Sequence, residues 1–268
     1  MRALVCKSWG DPSEALEIQS LPDPKAAWGQ VVVRMIASPI NPSDLLTIRN
    51  LYGRQPALPF VPGFEGVGRV ISGKGPLAWR VMGRRVAVIA AEGGAWADQC
   101  LIPAIRAIPL PDSIPDDQGA SFFVNPATAW AMVRNVLGVR SGDLLIQSAA
   151  AGAVGQMVLG LSKHLGFEVI HVVRREDQAA QLRDLGAREF IVGQGDELVP
   201  LIKKMIGSRP CRFGLDAIGG ETGSAILKSL GRHGILLSYG RLSGQPIPVE
   251  PGKIENFFSD PQQPGAGT

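Results

Sequence analysis

Cysteine is scarce in this chain. Three among 268 residues, Cys6, Cys100 and Cys211, are odd in number, far apart and without CxxC spacing. That pattern indicates neither a disulfide framework nor a zinc finger. Histidine is as rare: His164, His171 and His233 share no metal-ligand spacing, and no Ser-His-Asp ordering stands out. We read His164 as a helix surface residue, His171 as a strand residue and His233 as a helix C-terminal residue. An excess of one charge is lacking as well. The 27 basic and 24 acidic side chains leave a net charge of +3, too small to argue for a nucleic-acid partner. No apolar run approaches the ~18 residues of a membrane-spanning helix. A strand pattern starts at Met1-Arg2-Ala3-Leu4-Val5, so no signal or transit peptide is expected. The expectation is a cytoplasmic protein of two domains, with no membrane partner.

What is present is organised around residues 142–175. Leu144-Leu145-Ile146 reads as a buried strand, and Ser148-Ala149-Ala150-Ala151-Gly152-Ala153 as a small-residue turn. Val154, Val158, Leu161 and Leu165 then recur at helical spacing, and Val169-Ile170-His171-Val172-Val173 reads as a second strand. Strand, tight turn, helix and strand make one parallel βαβ unit. Its turn reads Ala150-x-Gly152-x-x-Gly155, the dinucleotide fingerprint with Ala in the first glycine's place. Gly152 would let the backbone approach a pyrophosphate, and Gly155 would let helix and strand pack closely. The helix N-terminus would face the phosphate charge. An acid at the end of the second strand would hold a ribose 2′-hydroxyl. Arg174 stands there instead, beside Arg175. A guanidinium pairs with a 2′-phosphate, so the pattern favours NADP(H); the alternative is two solvated surface arginines.

Residues 1–118 read as β-rich. Short strand patterns at 2–6, 16–21, 30–36, 66–71, 85–89 and 97–102 lie between Pro and Gly punctuation. Gly75-Pro76 looks like a connector, and residues 109–115 are the domain boundary candidate. Residues 116–137 read as helical, interrupted near Asn125-Pro126. After the βαβ unit, helices at 176–185, 197–206 and 221–230 alternate with strands at 189–192, 213–218 and 234–239. Five strands alternating with helices predict a doubly wound parallel sheet over residues 119–254. Residues 255–268 are expected to be an irregular tail, its last eight residues having a composition suited to disorder.

Four constellations offer chemistry. Asn41-Pro42-Ser43-Asp44 has the form of a helix start, with Asn41 as N-cap. Tyr52 follows that helix and is one of two tyrosines. Its phenol could donate to a substrate oxygen or carbanion, or be a half-buried loop aromatic. Glu65, within Pro62-Gly63-Phe64-Glu65-Gly66-Val67-Gly68, fits a buried structural acceptor better than a catalytic acid. Asn125 and Thr128 can offer amide and hydroxyl groups to a carboxamide. Ser238, Tyr239, Gly240, Arg241 and Leu242 stand at the carboxyl end of a strand, where ligands of open α/β sheets lie.

Taken together, NPSD at 41–44, PGFEGVG at 62–68, NPATAW at 125–130, SAAAGAVGQ at 148–156, LGA at 185–187 and GILLSYG at 234–240 resemble the zinc-independent medium-chain dehydrogenase/reductase superfamily. The resemblance covers roughly residues 1–254. It implies a GroES-like first domain and a Rossmann second domain. Zinc alcohol dehydrogenases carry Gly-His-Glu where this chain has Gly63-Phe64-Glu65, and the four-cysteine lobe is absent, so no metal is expected. The chain most resembles the 2-enoyl thioester reductases, with the quinone oxidoreductases next. The small-molecule substrate implied is an enoyl thioester or a quinone. In the former family a tyrosine at the place of Tyr52 assists hydride addition to the C=C bond. The resemblance also puts Asn125, Ala151, Gly152, Ala153, Val154, Arg174, Arg175, Glu176, Tyr239, Gly240, Arg241 and Leu242 around NADPH. Relatives run about sixty residues longer, with a further sheet strand through which they dimerise. The expectation is a truncated chain with an open sheet edge, abnormal self-association and little activity. A third reading follows, an NADPH-binding protein without turnover.

Overall fold

The computed structural model describes residues 1–53 and 55–249. Residue 54, the expected boundary at 254 and the 255–268 tail lie outside the described residues. The chain divides into two compact units after Val124.

The first unit contains β1 (Arg2–Cys6), α1 (Pro12–Ala15), β2 (Leu16–Ser20), β3 (Gln30–Ala37), α2 (Pro42–Ile48), β4 (Glu65–Gly73), α3 (Pro76–Val81), β5 (Arg85–Ile89), β6 (Gln99–Pro103), β7 (Ala107–Pro109) and α4 (Asp116–Ala120). β1 and β2 form an antiparallel pair, while the other five strands make an antiparallel sheet in the order β6-β3-β4-β5-β7. Val31, Val33, Val70, Val86, Val88 and Ile102 fill its core. β-Branched side chains suit such a pleated, buried surface.

Two local expectations are corrected and one strand was not foreseen. Gly75-Pro76 starts a helix rather than only connecting: Gly75, at φ 101°, is the N-cap of α3, and Pro76 occupies its first turn. Proline needs no N–H donor there, and its fixed φ suits a helix start. β7 is a strand of three residues, paired with β5 and too short to carry a period. The break in the helical stretch after Asp116 falls between α4 and α5 (Val124–Trp130), not at Asn125-Pro126. Both of those residues lie in the first turn of α5, where proline is tolerated. α5 continues as a π-helical stretch, Ala131–Val136.

The second unit holds β8 (Leu144–Gln147), α6 (Ala153–Leu165), β9 (Glu168–Val173), α7 (Glu176–Asp184), β10 (Glu189–Val192), α8 (Leu198–Ile206), β11 (Cys211–Asp216), α9 (Gly220–Ser229) and β12 (Ile235–Ser238). All described pairings are parallel, in the order β10-β9-β8-β11-β12. This is the doubly wound sheet. Both of its faces are covered. Leu145, Val169 and Leu215 pack with Val133 and Val158 on one, and Ile146, Ile170 and Ile191 with Ile202 and Ile226 on the other. Burial on both faces explains why these strands read as continuous apolar runs rather than alternating ones.

The three cysteines are free and buried. Burial pushes the Cys100 thiol up to about 12 and Cys211 up to about 11, and raises Cys6. His233 lies past α9, with a left-handed φ of 57°, rather than on the helix end. No described helix is long and apolar enough to cross a membrane.

Candidate active site

In the first unit, Asn41 and Asp44 close a capping box on α2. Asp44 Oδ2 accepts from the Asn41 N–H at 2.8 Å, and its Oδ1 from the Phe64 N–H at 3.1 Å. Burial pushes the Asp44 carboxyl up to about 6, against those two hydrogen bonds and with a smaller contribution from the nearby Glu65 charge. Glu65 is 1 % exposed. It accepts from Asn41 Nδ2 at 3.0 Å and from the N–H groups of Phe123 and Val124 at 3.0 and 2.9 Å. Its oxygens are thus engaged as a structural acceptor, the role its sequence setting favoured.

Tyr52 stands on the loop after α2 and is 44 % exposed, more open than a half-buried loop aromatic. Its ring centroid lies 6.3 Å from that of Phe64. Together with Ser43, Ile89, Ala91, Phe123 and Val124 these two rings line a cleft of about 230 Å³. Gln55 Nε2 donates to the Tyr52 carbonyl at 2.7 Å and ties the loop. A larger cleft of about 360 Å³, lined by Asp44, Thr47, Phe60 and Glu92, shares Phe64 and Ala91 with it.

In the second unit, Gly152 is the N-cap of the thirteen-residue α6. The first N–H groups of such a helix lack intrahelical partners and point out of its end. The two fingerprint glycines differ in why they are needed. A Cβ on Gly155 would lie 2.3 Å from the Ala150 carbonyl oxygen, so that glycine is required by packing. A Cβ on Gly152 would meet only the Ala149 oxygen, at 3.2 Å. The fold itself therefore demands little there. Ala151, Ala153 and Val154 stand in the same turn and the first turn of α6.

Arg174 and Arg175 part company. Arg175 makes a fork with Asp177, Nε to Oδ1 at 3.0 Å and Nη2 to Oδ2 at 3.1 Å. Glu176 is 3.8 Å from Arg183. The Arg174 N–H donates to Gln178 Oε1 at 3.1 Å, while its guanidinium has no partner among the described residues. Of the two arginines, Arg174 is the one available to an anion. On α5, Asn125 and Thr128 are three residues apart and share a face.

Residues 239–243 turn back along the carboxyl end of β11. Tyr239 N–H donates to the Asp216 carbonyl at 2.8 Å, Leu242 N–H to Ala217 at 3.0 Å and Ser243 N–H to Ile218 at 2.9 Å. Gly240 packs 2.9 Å, by its absent Cβ, from the Ala217 carbonyl oxygen, and Arg241 lies beside Gly219. Burial, with a lesser effect of Asp216, pushes the Tyr239 phenol up to about 12. Two polar pairs beneath the turn escaped sequence reasoning. Gln147 Nε2 donates to the Gly155 carbonyl at 3.0 Å and lies 2.8 Å from His171 Nδ1. His171 therefore accepts at Nδ1, and burial pushes its pKa down to about 4. The other pair is Ser148 with Asp216, at 2.6 Å. An acid ending an apolar strand before two glycines, as in Leu215-Asp216-Ala217-Ile218-Gly219-Gly220, is the signal that would have found it.

The alcohol dehydrogenase GroES-like domain family matches residues 27–112, and the zinc-binding dehydrogenase family matches residues 153–257. The mitochondrial enoyl-[acyl-carrier-protein] reductase of Rattus norvegicus is 32 % identical over 252 residues, 92 % of this chain and 67 % of that protein. A Bacillus thuringiensis protein described as an NADPH:quinone reductase superposes with a TM-score of 0.85 at 31 % identity, over 92 % of this chain and 74 % of the other. The Etr1p/NADP/crotonyl-CoA complex does so with a TM-score of 0.79 at 26 % identity, over 93 % and 78 %. This chain belongs to the medium-chain dehydrogenase/reductase superfamily and is an oxidoreductase of it. Zinc does not fit the donors present. Phe64 offers no ligand, and no group of three His, Cys, Asp or Glu among the described residues could hold a metal ion.

Proposed function

We propose that the chain is an NADPH-dependent reductase that adds hydride to the C=C bond of a 2-enoyl thioester, with Tyr52 assisting. The carrying observation is the alignment with an enoyl-[acyl-carrier-protein] reductase over 92 % of the chain, together with an exposed Tyr52 lining a cleft. Bound NADPH supplies the hydride. The turn at Ala151, Gly152, Ala153 and Val154 receives the pyrophosphate against the N-terminus of α6. Arg174 takes the 2′-phosphate, with Arg175 and Glu176 shaping the same corner. Tyr239, Gly240, Arg241 and Leu242, with Asn125 and Thr128, hold the nicotinamide half. The Tyr52 phenol donates to the substrate oxygen or the developing carbanion.

Quinone reduction is the second reading, supported by the Bacillus thuringiensis likeness. Saturating NADPH with a crotonyl thioester, and separately with a panel of quinones, separates them: the thioester is expected to turn over faster. Turnover of quinones alone establishes the second reading instead. NADPH binding with turnover of neither leaves a binding protein only.

A further inference from the structure

We propose that Asp216 is the positioning residue that sets the three loops of the cofactor edge in register, an inference that rests on NADPH binding at that edge. Asp216 ends β11 and is 0 % exposed. Its side chain does not reach the surface where a ligand would lie, so it touches the cofactor's loops and not the cofactor.

Between them, the polar atoms of the residue reach three loops. Oδ1 accepts from Ser148 Oγ at 2.6 Å and from the Ile218 N–H at 3.1 Å. Oδ2 accepts from the Gly219 N–H at 2.8 Å. The carbonyl oxygen accepts from the Tyr239 N–H at 2.8 Å. Ser148 closes the circuit: its Oγ accepts from the Ala217 N–H at 2.9 Å, and its own N–H donates to the Leu215 carbonyl at 2.9 Å. The loops so joined are the fingerprint turn after β8, residues 217–220 after β11 and residues 239–243 after β12. They lead from the carboxyl ends of three adjacent parallel strands, where a nucleotide lies in an open α/β sheet.

Charge makes the arrangement specific. A buried carboxylate holds these donors more strongly than a neutral acceptor does. An amide in its place presents one oxygen and an NH₂ group, so either the Ile218 N–H at the Oδ1 position or the Gly219 N–H at the Oδ2 position faces a donor. Hydrophobic packing of β11 between β8 and β12 does not depend on that oxygen. Loss of the carboxylate should therefore loosen the loops before it loosens the sheet.

The test compares wild type with Asp216→Asn and Ser148→Ala. NADPH affinity is read by fluorescence titration, kcat and the KM for NADPH by steady-state assay, and folding by a thermal melt without cofactor. In Asp216→Asn the NADPH dissociation constant and KM should rise roughly ten- to hundredfold, the range of a lost charged hydrogen bond, while kcat at saturating NADPH stays within about threefold. Ser148→Ala should raise the dissociation constant in the same direction by about three- to tenfold. Unchanged NADPH affinity in a folded Asp216→Asn overturns the proposal, as does a fall in kcat with KM unchanged. If Asp216→Asn does not fold, Ser148→Ala decides, and unaltered affinity there overturns it equally. Absence of NADPH binding by wild type instead defeats the cofactor reading itself.

Discussion

Tyr52 and Arg174 share one property, a polar group with no partner among the described residues, and each sits where the proposed reaction needs one. If the Tyr52 hydroxyl assists reduction, Tyr52→Phe should lower kcat by about 10²–10⁴-fold. NADPH affinity should barely move, since the fingerprint belongs to the other unit. A steady-state assay with a fluorescence titration checks both. Arg174→Ala should weaken NADPH roughly ten- to hundredfold and leave NADH unchanged. Arg175→Ala should do less, because its guanidinium is already held by Asp177. Equal losses in the two variants, in parallel titrations, count against this assignment. Two buried groups set opposing pH dependences. Asp44 has a folded pKa of about 6, above the ordinary 3.8, so its contribution is full below 3.8 and is lost as pH rises through about 6. His171, about 4 against 6.5, contributes fully above 6.5 and loses that as pH falls through about 4. Asp44→Asn removes only the first. Its melting temperature should therefore fall more steeply than wild type between pH 6 and 4, whatever its absolute value.

At the scale of elements, the βαβ unit was legible because three signals coincide in it. Its strands are buried on both faces and read as apolar runs, its helix repeats apolar residues at helical spacing, and its turn needs small residues. Gly155 is the sharpest case. Its absent Cβ would sit against the Ala150 carbonyl, so Gly155→Ala should push α6 away from the turn that follows β8 and cost about 1–3 kcal/mol, measurable by denaturant unfolding. Other elements were hidden for identifiable reasons. α3 hides because Gly75-Pro76 is also a turn signal, and β7 because three residues carry no period. The site shows the same division. Residues proposed to face the cofactor carry motif patterns, as at Gly152 or Arg174. Residues that hold those motifs from below do not. Gln147, His171 and Ser148 stand among apolar neighbours, and only the tertiary fold gives them partners.

For the whole molecule, two units mean that ligand effects need not spread evenly. NADPH present at about a hundred times its dissociation constant stabilises the state that binds it by about 2.7 kcal/mol. Hydrogen exchange followed by mass spectrometry should then show its largest added protection at residues 148–154, 217–220 and 239–243, while β1 and β2 change little. Protection centred on the first unit would contradict the assignment of those loops.

The buried thiols extend this to chemical reactivity. A thiol held near 11 or 12 is not a nucleophile at neutral pH, so an alkylating reagent has to wait for the chain to open. Cys6 and Cys100 fall in one unit and Cys211 in the other. The native sequence is thus a two-channel clock: the order in which its three thiols acquire mass under rising urea reports which half lets go first, without any label being engineered in.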